Sequence, residues 1–126
     1  MYITDEEMFN IFATEQNVSN LLTVNPLVSV IVLAYNHEAF ISETIDSILN
    51  QEVDFSYEIL VGEDKSTDNT LQVCSEYQKK YPDKIRLITA VSNVGMHKNF
   101  SRLWCRCRGE FIAFCEGDDY WCDDRK

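Results

Sequence analysis

From position 28 onward the chain alternates between short apolar runs and amphipathic stretches. Val28 to Tyr35 (VSVIVLAY) is an almost unbroken β-branched run, the pattern of a strand covered on both faces, which belongs at the centre of a parallel sheet. In the next segment Ile41, Ile45, Ile48 and Leu49 recur at helical spacing while Glu38, Glu43 and Asp46 face outward, with Asn36 placed to cap the helix. Tyr57 to Glu63 (YEILVGE) reads as a second buried strand. Ser66 or Asp68 then caps a helix carrying Leu71, Cys74, Tyr77 and Tyr81, and Pro82 forbids its continuation. Lys84 to Thr89 alternates as a third strand. Asn93-Val94-Gly95 turns into a helix that directs Phe100, Leu103, Trp104 and Cys107 to the core and Arg102, Arg106 and Arg108 to solvent; Gly109 ends it. Glu110 to Glu116 reads as a fourth strand. Residues 1–25 carry a weaker helical pattern (Met8, Phe9, Ile11, Phe12, then Leu21 and Leu22), so they are expected to form an arm or helix ahead of a single domain over residues 26–126.

Strands and helices in strict alternation assemble most economically as βαβ units, giving an α/β fold of three layers with a mostly parallel sheet. In such sheets ligands bind beyond the carboxyl ends of the strands. The segments leaving those ends are Ala34-Tyr35-Asn36, Glu63-Asp64-Lys65-Ser66, Val91 to Gly95, and Glu116-Gly117-Asp118-Asp119, and paired acids occur in the second and fourth.

Composition narrows the chemistry. A chain of 126 residues with 45% hydrophobic and 25% charged positions is sized and mixed for one globular domain. Its formal charge of −10 repels phosphate backbones, so nucleic acid is not an expected partner. Cys74, Cys105, Cys107, Cys115 and Cys122 fit no zinc spacing and read as reduced, mostly buried thiols. The acidic start lacks the order of a signal peptide, and no apolar run approaches the roughly 20 residues of a membrane span, so a cytoplasmic location is expected. The turn after the first strand, AYNHEAF, has no glycine to close around a dinucleotide pyrophosphate. GxxxxGK[ST] and GxSxG are also absent, which disfavours hydride transfer, P-loop hydrolysis and serine acyl chemistry.

What remains is a crevice of carboxylates. Oxygen ligands of this kind suit Mg²⁺ or Mn²⁺, whose shells are commonly completed by substrate phosphates. A carboxylate and a phosphate charge about 4 Å apart repel by roughly 4 kcal/mol at an effective dielectric of 20, whereas a dication attracts each by roughly 8 kcal/mol. An acidic loop alone would expel a diphosphate; with a divalent ion it would hold one. Asp64 is placed to accept a hydrogen bond from the imide of a base such as uracil, and Tyr35 offers a face on which that base can stack. Asp64 to Asp68 reads equally as a turn and helix cap, and His37 and His97 read as loop and helix-surface residues.

Three stretches taken together, VSVIVLAYNHEAFISETIDSILNQ, YEILVGEDKSTDNT and NVGMHKNFSRLWCRCRGEFIAFCEGDDYW, resemble the N-terminal, nucleotide-sugar-binding portion of the family 2 glycosyltransferases, over residues 27–126. The resemblance implies the Rossmann-like GT-A fold and inverting transfer of a sugar from a nucleotide-diphosphate sugar, most commonly UDP-linked, to an acceptor hydroxyl on a glycan, lipid or protein. It places Ala34, Tyr35, Asn36, Asp64, Ser66, Asn93, Gly95 and Asp118 around the donor, with Asn99 beside them. Asp118, helped by Asp119, would hold Mn²⁺ or Mg²⁺ in the position of the family's Asp-x-Asp motif, whose first acid is Glu116 here.

Several positions depart from the family pattern. Glu63 and Lys65 replace an aspartate and a glycine, so the turn is not expected to use a positive φ and Lys65 is free to approach a phosphate; Leu33 replaces a small polar residue. Family members continue beyond the Asp-Asp turn into an acceptor-binding half, so the general base is expected beyond Lys126, and Glu110 starts its strand at the wrong end to serve. A bare edge along the fourth strand, beside Phe111, Ile112 and Phe114, is expected to promote self-association. Two other readings compete with a transferase: a non-catalytic interaction module that keeps the fold, and a receiver-type phosphoacceptor, which wants acids after the first strand where Ala34-Tyr35-Asn36 stands.

Overall fold

β2 (Val28–Ala34), β3 (Tyr57–Glu63) and β4 (Ile85–Thr89) lie side by side and parallel, and β5 (Phe111–Glu116) returns to pair with the opposite edge of β2. The structure is a computed structural model that describes residues 14–16, 22 and 25–116. Helices α1 (Ile41–Leu49), α2 (Thr70–Lys80) and α3 (Met96–Trp104) supply the crossovers. A short strand, β1 (Thr14–Gln16), runs antiparallel to β4, giving the order β1-β4-β3-β2-β5. β2 is therefore interior, as its apolar run predicts, while the middle place belongs to β3. The segment expected to be a helix or free arm contributes a strand instead, because Glu15 finds a buried partner in Arg86 on β4.

Alternate residues of the parallel strands feed two cores, as a sheet covered on both faces requires. On one face Val30, Val32, Ile59, Val61, Ile85 and Leu87 pack against Ile41, Ile45 and Ile48 of α1 and Cys74 of α2. On the other, Ile31, Leu33, Leu60 and Ile88 meet Leu103 of α3. The approach of α3 depends on Gly62: a Cβ there would lie 2.5 Å from Asn99 Oδ1 and 2.7 Å from Leu103 Cδ1. Three apolar side chains depart from expectation. Leu71 and Cys105 are exposed, and Trp104 is 54% exposed, resting against Phe100 at 5.8 Å on a rim that no described element covers.

The polar residues inside the strands form one network at the amino end of the sheet. Ser29 and Glu58 are register partners on β2 and β3. The fully buried Glu58 carboxylate accepts from Ser29 Oγ (2.6 Å), Arg86 Nη1 (3.1 Å), the Arg108 amide (2.9 Å) and Arg108 Nε (2.8 Å). Arg86 also donates to both Glu15 oxygens and to the Arg106 carbonyl. Burial pushes the Glu58 carboxyl upward, and the hydrogen bonds from Ser29 and Arg108 with the charge of Arg86 outweigh it, leaving the group below the usual carboxylate range. Lys84 to Thr89 thus does not alternate between core and solvent, since Arg86 is buried by this pairing. Among the described residues β5 pairs only with β2, so its outer edge is bare, with Phe111 and Phe114 exposed beside it. No helix of the described residues is long and apolar enough to cross a membrane.

Candidate functional site

The strand order reverses between β2 and β5, and a cleft of about 390 Å³ opens there at the carboxyl ends. Leu33, Ala34, Tyr35 and His37 line it from β2 and its loop, Asp64 from β3, Asn93 and Gly95 from the loop after β4, Met96 and Asn99 from α3, and Glu116 from β5. Of the residues expected around a donor, Ala34, Tyr35, Asp64, Asn93 and Gly95 are thus brought together. Asp118 and Asp119 lie outside the described residues.

Asp64 is 3% exposed and held from three sides. Its amide donates to the Ala34 carbonyl at 3.0 Å, continuing the β2–β3 ladder into the loops. Its Oδ1 accepts from the Val94 amide at 2.7 Å and its Oδ2 from the Gly95 amide at 3.0 Å, while Asn93 Nδ2 donates to its carbonyl at 3.0 Å. Gly95, at φ 88, is the N-cap of α3 and turns the loop so that these amides face the carboxylate. The acid therefore sits at the positive end of a helix, bound by neutral donors. A carboxylate has roughly four acceptor positions, so two bonds do not exhaust it, and Asp64 still borders the cleft. Tyr35, 42% exposed, lines the same cleft.

Asn36 and Ser66 border the site in a different capacity from the one expected. Asn36 does not cap α1, whose N-cap is Phe40; it takes φ 55 and clasps the neighbouring loop. Its amide donates to Ser66 Oγ at 2.9 Å, and its Oδ1 accepts from the Thr67 amide at 2.8 Å. Ser66 Oγ donates to the buried Glu63 carboxylate, which also accepts the Ser66 amide at 3.1 Å. The N-cap of α2 is Asn69, not Ser66 or Asp68; Asp68 instead accepts from the amide and hydroxyl of Thr70. Lys65 adopts φ 59, the left-handed conformation usual for glycine, because the Glu63–Ser66 and Asn36–Thr67 bonds hold the loop on either side of it.

Arg102 corrects the expectation of a solvated arginine face: it is fully buried, donating Nε to Asn99 Oδ1 at 2.8 Å and Nη2 to the Glu63 carbonyl at 2.9 Å. Asn99 Nδ2 donates in turn to the Gly62 carbonyl at 2.9 Å. Burial pushes the Arg102 guanidinium down to about 10, against the opposing pull of the Asp64 and Glu63 charges. The spacing carried a signal for it, since Asn99, Arg102 and Leu103 fall at i, i+3 and i+4 on one helix face. His37, read from sequence only as a loop residue, borders the cleft; its Nδ1 lies 3.4 Å from the Tyr35 amide, and its own amide donates to Thr70 Oγ1 at 2.8 Å.

Known proteins place this cleft in context. The chain is 40% identical over 98 residues to an uncharacterised protein of Mycobacterium tuberculosis, covering 78% of this chain and 28% of that protein. The fold superposes on a mannosyltransferase of Pyrobaculum calidifontis in complex with GDP-Man and Mn²⁺ with a TM-score of 0.71 at 26% identity, over 81% of this chain and 30% of the other. For S. aureus TarS in complex with UDP-GlcNAc the TM-score is 0.60 at 34% identity, over 74% of this chain and 27% of the other. The chain thus spans less than a third of the length of each of these relatives. Its α/β sheet has the GT-A arrangement and superposes on both solved structures. The family model described as Glycosyl transferase family 2 matches residues 29–126, most of the sequence, and the chain belongs to that family.

Proposed function

We propose that residues 26–126 form the donor-binding portion of an inverting, metal-dependent glycosyltransferase that takes a sugar from a nucleotide-diphosphate sugar, preferentially UDP-linked, and passes it to an acceptor hydroxyl. The observation that carries this reading is the Asp64 carboxylate, buried at the head of α3 yet bordering a cleft that Tyr35 also lines. A base stacked on Tyr35 presents its imide N–H toward Asp64, whose direction is already set by two backbone donors, so little side-chain entropy is lost on binding. Asn36, Ser66 and Glu63 keep the two loops in register and act on the base through Tyr35 and Asp64.

The diphosphate would lie toward the end of β5. Glu116 is the exposed acid there, and Asp118 and Asp119 follow it in sequence. Among the described residues no three His, Cys, Asp or Glu side chains form a metal-binding group. The acid at this end is an oxygen donor, which fits Mn²⁺ or Mg²⁺, with Asp118 and Asp119 as the holding residues and the donor's phosphates completing the shell. When bound, the ion would neutralise charge on the diphosphate and its leaving group. Asn93 and Gly95 shape the wall on which the ribose and phosphates lie. In the inverting reaction a base removes the acceptor proton and that oxygen attacks the anomeric carbon from the face opposite the leaving diphosphate. No residue of the cleft is assigned as that base: Asp64 is committed to base recognition and Glu116 lies on the side of the diphosphate. Self-association along the bare β5 edge is a separate proposal, read as concentration-dependent mass in light scattering.

Calorimetric titration with UDP, with and without Mn²⁺, tests the reading. Binding that requires Mn²⁺ and is lost in Asp118→Asn is expected. Absent or metal-independent binding by a folded sample would contradict it, and absence would favour a non-catalytic module.

A further inference from the structure

We infer that Arg102 is a positioning residue for nucleobase recognition: from beneath the cleft its buried charge balances the paired acids Glu63 and Asp64 and fixes the Asp64 side chain at the head of α3. The inference rests on the proposed function and adds to it a residue that does not touch the donor.

Glu63 and Asp64 are adjacent carboxylates, 1% and 3% exposed, at the end of β3. Two buried negative charges on neighbouring residues repel each other and lose hydration, which a folded chain tolerates only with a compensating positive charge or hydrogen bonds. Glu63 receives Ser66 and Asp64 receives two amides, and all of these donors are neutral. The buried cation that feels both acids is Arg102, which is fully enclosed and bonded to the Glu63 carbonyl, one residue before Asp64. Its Asn99 partner is bonded to the Gly62 carbonyl, so Asn99 and Arg102 grip the last residues of β3 from α3, while Asp64 grips the head of α3 from β3. Helix and strand are thereby locked in both directions around one carboxylate. A glutamine in place of Arg102 ends where the arginine Nε stands, so it can keep the bond to Asn99 Oδ1 but loses both the charge and the reach to the Glu63 carbonyl.

A double-mutant cycle separates positioning from simple support. UDP affinity in the presence of Mn²⁺ is measured by calorimetry for the unaltered chain, Arg102→Gln, Asp64→Asn and the double variant. If Arg102 acts through Asp64, Arg102→Gln weakens UDP by about tenfold when Asp64 is present and by less than about twofold in the Asp64→Asn background. Equal losses in both backgrounds would mean that Arg102 only supports the fold, and would overturn the inference. Should Arg102→Gln fail to fold, the cycle is read with Arg102→Lys, which keeps the charge. A loss of about threefold confined to the Asp64 background is then expected, and equal losses again overturn it. Absence of UDP binding by the unaltered, folded chain is a different result: it removes the functional reading itself, and this inference with it.

Discussion

At the amino end of β3 the Glu58 carboxylate is met by the guanidinium groups of Arg86 and Arg108, whereas at the carboxyl end Glu63 and Asp64 are held by backbone amides and a serine, with Arg102 set beneath them. Both ends bury acids, and they differ in what is left over. Glu58 is bonded to its cations directly and faces no donor cleft, so its charge is spent on holding β1, β4 and the 106–108 loop to the sheet. Asp64 keeps a free side toward the cleft because its donors occupy only part of its acceptor capacity. A buried acid neutralised by arginine builds structure; one oriented by amides remains able to read a ligand.

The largest way to break the comparison is at Glu58. Removing Glu58 takes from Arg86 Nη1, Arg108 and Ser29 the buried carboxylate they share, so Glu58→Ala is expected to cost about 3–5 kcal/mol in urea unfolding. The UDP affinity of whatever remains folded should be unchanged. The network also has a pH signature. Because the Glu58 carboxyl is held below its ordinary value in the fold, its contribution is complete above the unfolded value of about 4.3. That contribution is lost as pH falls through the lower folded value. Glu58→Gln should therefore flatten the loss of stability on acidification, and an unchanged acid limb would count against the network.

At the other end the effect should appear in binding. Asp64→Asn replaces a charged acceptor with a group that presents N–H to donors, and is expected to weaken UDP by about 10–100-fold, the value of a hydrogen bond to a charged group. A loss of stability matching that of Glu58→Ala, with affinity retained, would make the two ends alike and defeat the distinction. The smallest change sharpens it. Lys65→Gly should stabilise the chain by about 0.5–1 kcal/mol in the same unfolding assay, since glycine takes φ 59 without the Cβ penalty and returns part of the gain as backbone entropy.

Much of this architecture is legible in the sequence because it follows from periodicity. The β-branched run at 28–34 and the Ile41, Ile45, Ile48 stripe announce a covered strand and its helix, and the carboxyl-end rule points to Tyr35, Asp64, Asn93 and Gly95 before any coordinates. What escapes is polar chemistry inside the fold. Arg102 and Arg86 look like surface residues because a linear pattern does not show that Glu63, Asp64 and Glu58 wait across the sheet. Lys65 and Asn36 hide for a related reason: their left-handed backbones are imposed by bonds between two loops about thirty residues apart. The strand at 14–16 is invisible for want of apolar residues, its place being set by the Glu15–Arg86 pair.

Manganese broadening of amide resonances in the presence of UDP tests the central claim most directly, because it reports which end of the sheet gathers the ion and the nucleotide. The account predicts that Mn²⁺ with UDP broadens the amides of Tyr35, Asp64 and Gly95 while those of Ser29, Glu58 and Arg108 stay sharp. Broadening centred on the Glu58 end, or a pattern indifferent to UDP, would contradict it.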